Sequence, residues 1–430
     1  MRKEVIKKTI ADFHSSMMPS AKPRSLEIPL KTGKIITMTG VRRSGKTYQL
    51  YNVIKALIEK QVPVKNLLYF NFEDERIDEQ TFILNNLIDA YRELYPDLKL
   101  EDCYFLFDEI QNIKGWEKFL RRLYDRVSKN IFITGSNSKL LSKEISTSLR
   151  GRSINYEVFP LSFKEYLDFL GVEITLYTSE STAKIIKCLG KYLYNGGFPE
   201  LIDMDDWIRN RVLQEYFDVM ILRDIIERYE IKQSKILKYF CKRVVGNSAQ
   251  EFSVNKIFKE LKSQGYKISK DTLYEFQSHV ESIYLALFLP KHSHSFLKSE
   301  LAMKKAYCID TGLASALDFY FSQNNGRLLE NLIFLELKKA GKKVAYYSSN
   351  FECDFVVYKG KSISDAIQVC FNLNSSHSTR VREINSIINT CKLLGLKEGK
   401  IVTISEEEKL SHDNIDIRII PAYKFILSDI

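Results

Sequence analysis

The sequence contains no paired cysteine motif and no long apolar run. Its seven cysteines are scattered, and none forms a C-x-x-C pair, so the sequence predicts neither a zinc site nor a disulfide framework. Reduced cysteines favour a cytosolic protein. The longest apolar run, residues 283–289, is far too short to span a bilayer, and the first residues lack the apolar core of a signal peptide. We therefore expect a cytoplasmic protein with no membrane partner.

Internal repeats and low-complexity tracts are also absent, and the composition is that of a globular chain. A length of 430 residues predicts two to three domains. The apolar content is 45% and the charged content 27%, both ordinary for a soluble fold. The formal net charge of +10 permits a polyanionic partner such as DNA but does not prove one.

The most specific pattern is a phosphate-binding loop at residues 40–47. Its sequence, GVRRSGKT, fits G-x-x-x-x-G-K-[ST] and stands between a predicted strand at 34–39 and a predicted helix at 47–60. The two glycines let successive N–H groups face a phosphate, and the helix N-terminus adds partial positive charge. Lys46 is expected to reach the β- and γ-phosphates of ATP, and the Thr47 hydroxyl to bind Mg²⁺. The expected nucleotide contacts are Gly40, Val41, Arg42, Arg43, Ser44, Gly45, Lys46, Thr47 and Tyr48.

A second element follows at residues 101–109, where an apolar run ends in two carboxylates. The run predicts a buried parallel strand, and its carboxyl end is where open α/β sheets bind ligands. Asp108 is expected to hold the Mg²⁺ shell, and Glu109 to polarise the attacking water as general base. Without the phosphate loop before it, the pair would be interpreted as an ordinary solvated strand end.

Three further residues are weaker candidates for catalysis. Asn137, or its neighbour Ser136, follows a predicted strand at 130–135 and could contact the γ-phosphate or orient the water. The alternative is a polar loop. Arg150 and Arg152 could stabilise charge on the transferring phosphoryl group from within the chain or from a neighbouring subunit, which would imply a homo-oligomer. The alternative for both arginines is a basic surface turn.

The predicted fold class is α/β, organised in five regions. A helix and linker occupy residues 1–30, and alternating strands and helices at 31–160 predict a parallel sheet covered on both faces. A helical lid is predicted at 161–230. A winged-helix-like region is predicted at 231–315, and a small α/β region at 316–430.

The winged-helix-like region has two short helices that begin at Ser253 and Ser269. Two apolar segments around a flexible basic tip at 291–298 would form the wing. One interpretation is DNA binding, with the second helix in the major groove and the wing against phosphate. The other is a fold used only for packing, and the acidic Asp271 and Glu275 on the second helix leave the two readings even.

The C-terminal region contains a constellation of three polar residues, Glu330 on a predicted helix and Asp354 and Gln368 on predicted strands. Their spacing resembles the PD-(D/E)xK nuclease core, in which such residues hold a divalent ion. That family has a lysine at the position of Cys370, so we expect a nuclease-like domain with little or no cleavage. The nearby lysines that could instead contact a DNA backbone are Lys338, Lys339, Lys342, Lys343, Lys359 and Lys361.

Taken together, these motifs resemble a family of prokaryotic ATPases that join an AAA-type domain, AAA_14, to a C-terminal region called DUF4143. The markers are residues 40–47, 107–111, 135–138, 149–152, 160–166, 196–200, 310–313 and 330–370. The resemblance implies a Mg²⁺-dependent cytosolic ATPase with an AAA+ fold. Two function classes remain open: an ATP-driven machine acting on DNA, and a signalling NTPase switch of the STAND type that binds a protein partner.

Overall fold

The computed structural model describes residues 2–16, 20–76, 83–136, 149, 151–293, 295–317 and 325–430. The chain divides into two compact units, Met1–Phe159 and Pro160–Ile430. The regions interpreted from the sequence as lid, winged helix and C-terminal domain all lie in the second unit. The fold class is α/β, as the sequence predicts.

The described part of the first unit is a parallel sheet with helices on both faces. Its strands are β1 (Ile35–Thr39), β2 (Leu67–Asn71), β3 (Tyr104–Asp108), β4 (Ile131–Gly135) and β5 (Ser153–Glu157). Its helices are α1 (Arg2–Ser15), α2 (Lys46–Glu59), α3 (Ile83–Leu94) and α4 (Trp116–Arg126). The described strands pair in the order β2-β3-β4-β1-β5, and every pair is parallel.

Both faces of strands β1 to β4 are buried, which explains why these strands are apolar runs rather than alternating sequences. On one face, α3 and α4 pack Leu87 and Leu120 against Phe105. On the other face, α2 packs Leu50 and Ile54 in a second apolar core. Each such side chain contributes about 1.5–3 kcal/mol through burial. The sheet therefore holds the carboxyl ends of β1 and β3 at the same edge, with β4 between them.

The segment after α1, predicted to be a linker, lies along α2. The Gln49 side chain donates a hydrogen bond to the carbonyl of Leu26 at 2.7 Å, and that of Asn52 donates to the carbonyl of Lys22 at 3.2 Å. Arg24 donates to the carbonyl of Ser44, in the phosphate loop, at 3.1 Å. The segment is thus part of the ATPase core and braces the loop from behind.

The described part of the second unit contains more elements. Its helices are α5 (Phe163–Phe169), α6 (Ser179–Asn195), α7 (Asp206–Ile221), α8 (Ser234–Gly246), α9 (Val254–Ser263), α10 (Lys270–Ser282), α11 (Phe296–Leu301), α12 (Thr311–Leu317), α13 (Asn325–Lys339), α14 (His377–Leu394) and α15 (Ala422–Lys424). Its strands are β6 (Gln250–Phe252), β7 (Ala286–Leu289), β8 (Lys304–Cys308), β9 (Lys343–Ser348), β10 (Glu352–Lys359), β11 (Ser362–Val369), β12 (Glu398–Thr403), β13 (Glu408–His412) and β14 (Ile415–Pro421). Single π-helical turns follow α7 and α15.

Elements α8 to β8 follow the order helix, strand, helix, helix, strand, helix, strand, with an antiparallel sheet β6-β8-β7. Apart from the short α11, this is the element order of a winged helix. The predicted caps are confirmed, because the side chains of Ser253 and Ser269 accept hydrogen bonds from the amides that begin α9 and α10. At its start, the predicted flexible basic tip at 291–298 is docked instead of free. His292 is buried and donates its amide to Tyr346 on β9 at 2.6 Å, and α11 follows.

The C-terminal sheet has the order β13-β14-β12-β11-β10-β9 among the described strands. Strands β9, β10 and β11 are antiparallel, and β12 and β14 continue parallel to β11. Helix α14 packs Ile387 and Cys391 on one face of this sheet. Helix α13 precedes β9, so the element order is helix, three strands, helix, strand.

Two of the short sequence markers contact each other inside the second unit. Asp310 accepts hydrogen bonds from the amide of Gly197 at 2.7 Å and from that of Leu313 at 2.9 Å. Gly196 has φ of 73°, and a Cβ there would lie 2.0 Å from the Asp310 carboxylate, so only glycine fits. These markers are structural, and they join the end of α6 to the start of α12.

Candidate active site

The phosphate loop connects the carboxyl end of β1 to the first turn of α2. Gly45 and Arg43 both have left-handed backbone, with φ of 94° and 68°. A Cβ on Gly40 would lie 2.1 Å from the carbonyl oxygen of Val158, so the close approach of β5 requires glycine. The Ser44 hydroxyl oxygen is buried and has no hydrogen-bond partner among the described residues. This geometry is a curled loop whose polar groups are available to a ligand.

Lys46 is held within the site rather than exposed to solvent. Its side chain is 4% exposed, and its ammonium donates to the carbonyl of Val41 at 3.2 Å. The same nitrogen lies 3.3 Å from Oε1 of Glu109. A lysine beside the loop amides can neutralise phosphate oxygens, as the sequence predicts for this position.

Thr47 and Asp108 meet at the start of α2. The threonine hydroxyl donates to Oδ2 of Asp108 at 2.7 Å. The same oxygen accepts from the hydroxyl of Tyr69 at 3.2 Å, while Thr134 donates to Oδ1. Asp108 is therefore fixed by three hydroxyl groups from α2, β2 and β4. A hydroxyl and a carboxylate in contact are the protein ligands that Mg²⁺ takes in this class of site.

Glu109 is held just beyond the end of β3 in a strained conformation. Its φ of 50° is left-handed, which is unusual for a residue other than glycine. Its amide donates to the hydroxyl of Thr134 at 2.9 Å, and its Oε2 accepts from the amide of Ser136 at 3.2 Å and from the side chain of Gln111. The surrounding strands thus impose both the backbone strain and the direction of the carboxylate.

The two adjacent carboxylates have pKa values that move in opposite directions. Burial and the neighbouring Glu109 raise the pKa of Asp108. Burial alone would raise the pKa of Glu109 too, but Lys46, Gln111 and Arg42 together hold it below its ordinary value. Glu109 is therefore ionised at neutral pH, which is the state that a general base requires.

The residues present fit ATP and Mg²⁺. The loop offers amide groups and a free hydroxyl at Ser44, Lys46 offers positive charge for phosphate oxygens, and Thr47 and Asp108 form the oxygen ligand pair. Bound Mg²⁺ would neutralise charge on the phosphate oxygens of the nucleotide. Glu109 lies beside this ligand pair, where it can accept a proton from a water molecule.

The remaining predicted residues are placed less closely. Arg42 pairs with Glu73 at 3.1 Å, at the end of β2, and Tyr48 is 53% exposed on α2. Arg152 precedes β5 and pairs with Asp125 at 3.0 Å. It lies at the amino-terminal edge of the sheet, roughly 20 Å along the strands from the phosphate loop, so it does not join the site within the same chain. Asn137 and Arg150 lie outside the described residues.

The three residues that resemble a nuclease site do converge, but with an additional partner. Asp354 accepts from the amide of Val369 at 2.9 Å and donates its own amide to the side chain of Gln368 at 3.3 Å. The ammonium of Lys305, on β8, lies 3.0 Å from both Glu330 and Asp354. Burial and Asp354 raise the pKa of Glu330.

One lysine of the predicted DNA-contacting group is not on the surface. The side chain of Lys339 is 10% exposed, and its ammonium donates to the carbonyl of Leu161 at 2.9 Å and pairs with Glu336 at 3.0 Å. Its prediction as a phosphate contact is wrong, because buried Glu336 and Tyr192 hold it inside the second unit. Lys343, Lys359 and Lys361 are exposed.

Sequence reasoning missed Tyr69, Thr134, Arg24 and Lys305. None belongs to a motif, and each reaches its partner only through the folded sheets. Tyr69 and Thr134 carry one signal that could have found them, because each lies on a strand next to β3. The sequence offers no comparable signal for Arg24 or Lys305.

Comparison with protein families supports the assignment of the first unit. The AAA_14 family model, described as an AAA domain, matches residues 32–167. A domain of unknown function, DUF8612, matches residues 186–324. The family model that matches the second unit is thus DUF8612, instead of the DUF4143 region that the sequence resembles. The fold and the loop define an AAA-type P-loop ATPase domain.

Relatives are found over nearly the whole chain. The uncharacterized protein MJ1544 of Methanocaldococcus jannaschii is 37% identical over 94% of this chain and 91% of its own length. An uncharacterized protein of Haemophilus influenzae is 31% identical over 81% of this chain and 85% of its own length. The Walker-type ATPase PABY2304 of Pyrococcus abyssi has a TM-score of 0.41 at 14% identity, over 73% of this chain and 95% of that chain. The chain belongs to the same family as MJ1544.

The helices were also compared with the length and hydropathy of a membrane span. Within the described ranges, none is both long and apolar enough to cross a bilayer.

Proposed function

We propose that the first unit binds ATP with Mg²⁺ and hydrolyses it to ADP and phosphate. The observation that supports this most strongly is the placement of Thr47, Asp108 and Glu109. The threonine hydroxyl and Asp108 are in contact at 2.7 Å, and Glu109 is ionised beside Lys46. These groups are the ligand pair, the base and the phosphate-binding cation that phosphoryl transfer to water requires.

The chemistry follows from these positions. The loop amides and Lys46 hold the β- and γ-phosphates, and Thr47 and Asp108 hold Mg²⁺ against them. Glu109 accepts a proton from the attacking water, the water oxygen bonds to the γ-phosphorus, and ADP leaves. The transferring group receives positive charge from Arg150 or Arg152, either of them supplied by a neighbouring subunit. The active form is therefore a homo-oligomer.

Hydrolysis drives or switches an action on nucleic acid, with the second unit as the contact. The net charge of +10 and the winged-helix element order support this partner. The exposed Lys343, Lys359 and Lys361 would contact phosphates. The nuclease-like domain would bind without cutting, because Cys370 stands where the nuclease family has lysine.

A second candidate is a signalling NTPase switch that binds a protein partner. It is favoured by the start of the predicted wing tip, where Lys291 and His292 dock on β9 and so are less available to a DNA backbone. Helix α10 exposes Asp271 and Glu275, which repel phosphate. In this case nucleotide state would control the surface that the partner binds.

One experiment separates the two candidates. The steady-state ATPase rate of the full chain is measured alone and with single-stranded, duplex and branched DNA, with Lys46→Ala as the background. Stimulation by one DNA form, together with a steep loss of DNA affinity as salt increases, supports action on nucleic acid. Hydrolysis that no DNA form changes supports the switch. Absence of Mg²⁺-dependent hydrolysis under every condition contradicts both.

A further inference from the structure

Outside the ATPase site, one cluster of buried titratable groups surrounds Lys305. Its side chain is 3% exposed, and its ammonium lies 3.0 Å from Glu330, 3.0 Å from Asp354 and 2.7 Å from Glu352. The ammonium also lies 5.6 Å from the ring centre of Tyr346. A lysine on the winged-helix sheet therefore reaches into the polar centre of the C-terminal sheet.

The other polar side chains of the cluster also have hydrogen-bond partners within the protein. Tyr307, also on β8, donates to the same Glu330 oxygen at 2.7 Å. Gln368 accepts from the amide of Asp354 and donates to Glu383 at 2.8 Å, so both ends of its side-chain amide are engaged. The carboxylates thus need a cation at their centre, and the chain places one there.

We propose that Lys305 is the resident cation of this nuclease-like site: its ammonium takes the position of a divalent ion, excludes metal and ties β8 to α13 and β10. The proposal concerns the second unit only and does not depend on ATP hydrolysis. It assigns the Glu330 and Asp354 pair a structural role, as the anchor that joins the winged-helix sheet to the C-terminal sheet.

Charge and geometry support this role. Glu330 and Asp354 are both nearly buried, and a positive charge 3.0 Å from each offsets the cost of burying two carboxyl groups together. An ammonium and a divalent ion would compete for the same oxygen atoms.

The competing interpretation is that Lys305 replaces the missing lysine of a working nuclease. Burial disfavours it. Asp354 is 6% exposed, Lys305 is 3% exposed, and Glu352 covers the ammonium on its outer side. A phosphodiester could not approach both groups without displacing this shell. The anchor and the nuclease therefore differ in what they predict for metal binding by the unaltered chain.

The test measures Mn²⁺ binding to the nucleotide-free full chain by titration calorimetry, in four forms: the unaltered chain, Asp354→Asn, Lys305→Ala, and Lys305→Ala with Asp354→Asn. Each pair differs only at Asp354, so ions bound elsewhere, including the phosphate loop, cancel. Lys304→Ala, on the same strand, is the control for loss of a positive charge. Nuclease activity of the unaltered chain with Mn²⁺ is measured alongside.

We expect the Asp354→Asn variant to bind as many Mn²⁺ ions as the unaltered chain. The Lys305→Ala variant should bind one more Mn²⁺ ion than the unaltered chain, and its melting temperature should rise with Mn²⁺ concentration. Adding Asp354→Asn to this variant should abolish both effects. Lys304→Ala should gain neither. An ion lost from the unaltered chain on Asp354→Asn, or cleavage that this substitution abolishes, would overturn the proposal. So would a folded Lys305→Ala chain that gains no ion. If that variant does not fold, the comparison of the unaltered chain with Asp354→Asn still decides.

Discussion

At the scale of single residues, the site depends on side chains that the fold forces into unusual states. Glu109 takes a left-handed backbone and a lowered pKa, while the adjacent Asp108 is buried with a raised pKa. The strain at Glu109 is maintained by hydrogen bonds from β4 and from Gln111. Such strain is characteristic of functional positions because ordinary packing would relax it.

The first prediction concerns Glu109 itself. Glu109→Gln keeps the shape of the side chain but removes the proton acceptor, so hydrolysis should slow by at least about 10²-fold while ATP remains bound. Single-turnover hydrolysis and nucleotide binding are measured on the same preparation. Glu101→Gln, an exposed residue before the other end of β3, should have no effect. Normal turnover in Glu109→Gln would show that another group is the base.

The second prediction concerns Tyr69, whose hydroxyl donates to Asp108 at 3.2 Å. Tyr69→Phe removes one of the three hydroxyl groups that hold this carboxylate. The free energy of unfolding of the Tyr69→Phe chain should be lower by about 1 kcal/mol. The Mg²⁺ concentration that gives half-maximal hydrolysis should rise a few-fold. Tyr51→Phe is the matched control, because its hydroxyl lies 3.4 Å from that of Tyr69 rather than against Asp108. Equal effects of both substitutions would contradict the role of Tyr69.

The sequence predicted the central residues of the ATPase site because they belong to one local motif and one strand end. Lys46, Thr47 and Asp108 come together as expected, since the parallel strands β1 and β3 end at the same edge of the sheet. Lys305 could not be predicted. It reaches Glu330 and Asp354 across 25 and 49 residues of chain, and only the packing of two sheets determines that contact.

At the scale of elements, the strands predicted at 34–39, 101–109 and 130–135 and the helix predicted at 47–60 lie within a few residues of those bounds. Apolar periodicity and serine caps are local signals, and they located α9 and α10 correctly. The start of the predicted basic tip at 291–298 differs from the prediction, because its charge suggested solvent whereas His292 docks on β9. The segment after α1 was predicted to be a linker for a different reason. Its backbone carbonyls make the contacts with α2, and composition does not show such contacts.

The third prediction tests whether the lysines at the start of β9 contact DNA. Charge reversal at Lys342 and Lys343 should weaken DNA binding and reduce the slope of log affinity against log salt by about 1.8, if each lysine contacts one phosphate. The measurement is a salt series of binding curves. Lys187→Glu with Lys191→Glu, two exposed lysines on α6, makes the same charge change elsewhere. Equal losses in both variants would indicate a non-specific charge effect, and unchanged affinity would favour a protein partner.

At the scale of the whole molecule, the chain combines an ATPase unit with a larger second unit that belongs with it across relatives. The relative MJ1544 aligns over 94% of the chain, so both units occur together in the family. In the second unit, Asp310, Glu336 and Lys305 each join elements that are distant in sequence. The second unit is therefore internally braced by buried polar contacts.

The fourth prediction concerns assembly. If Arg150 or Arg152 acts on the nucleotide of a neighbouring subunit, ATPase activity per chain should rise with protein concentration. Mixing Lys46→Ala with Arg150→Ala chains should restore part of the activity, because each supplies the group that the other lacks. Activity that stays constant down to dilute monomer, with no restoration in the mixture, would exclude a role between subunits.

The most direct test of the account is single-turnover hydrolysis of ATP by the purified full chain with and without Mg²⁺, beside Lys46→Ala. The account predicts Mg²⁺-dependent conversion of ATP to ADP by the unaltered chain and loss of nucleotide binding or turnover in Lys46→Ala, because the ammonium that neutralises the phosphates is gone. Hydrolysis at the same rate in both chains, or ATP bound with Mg²⁺ and never hydrolysed by the unaltered chain, would contradict it.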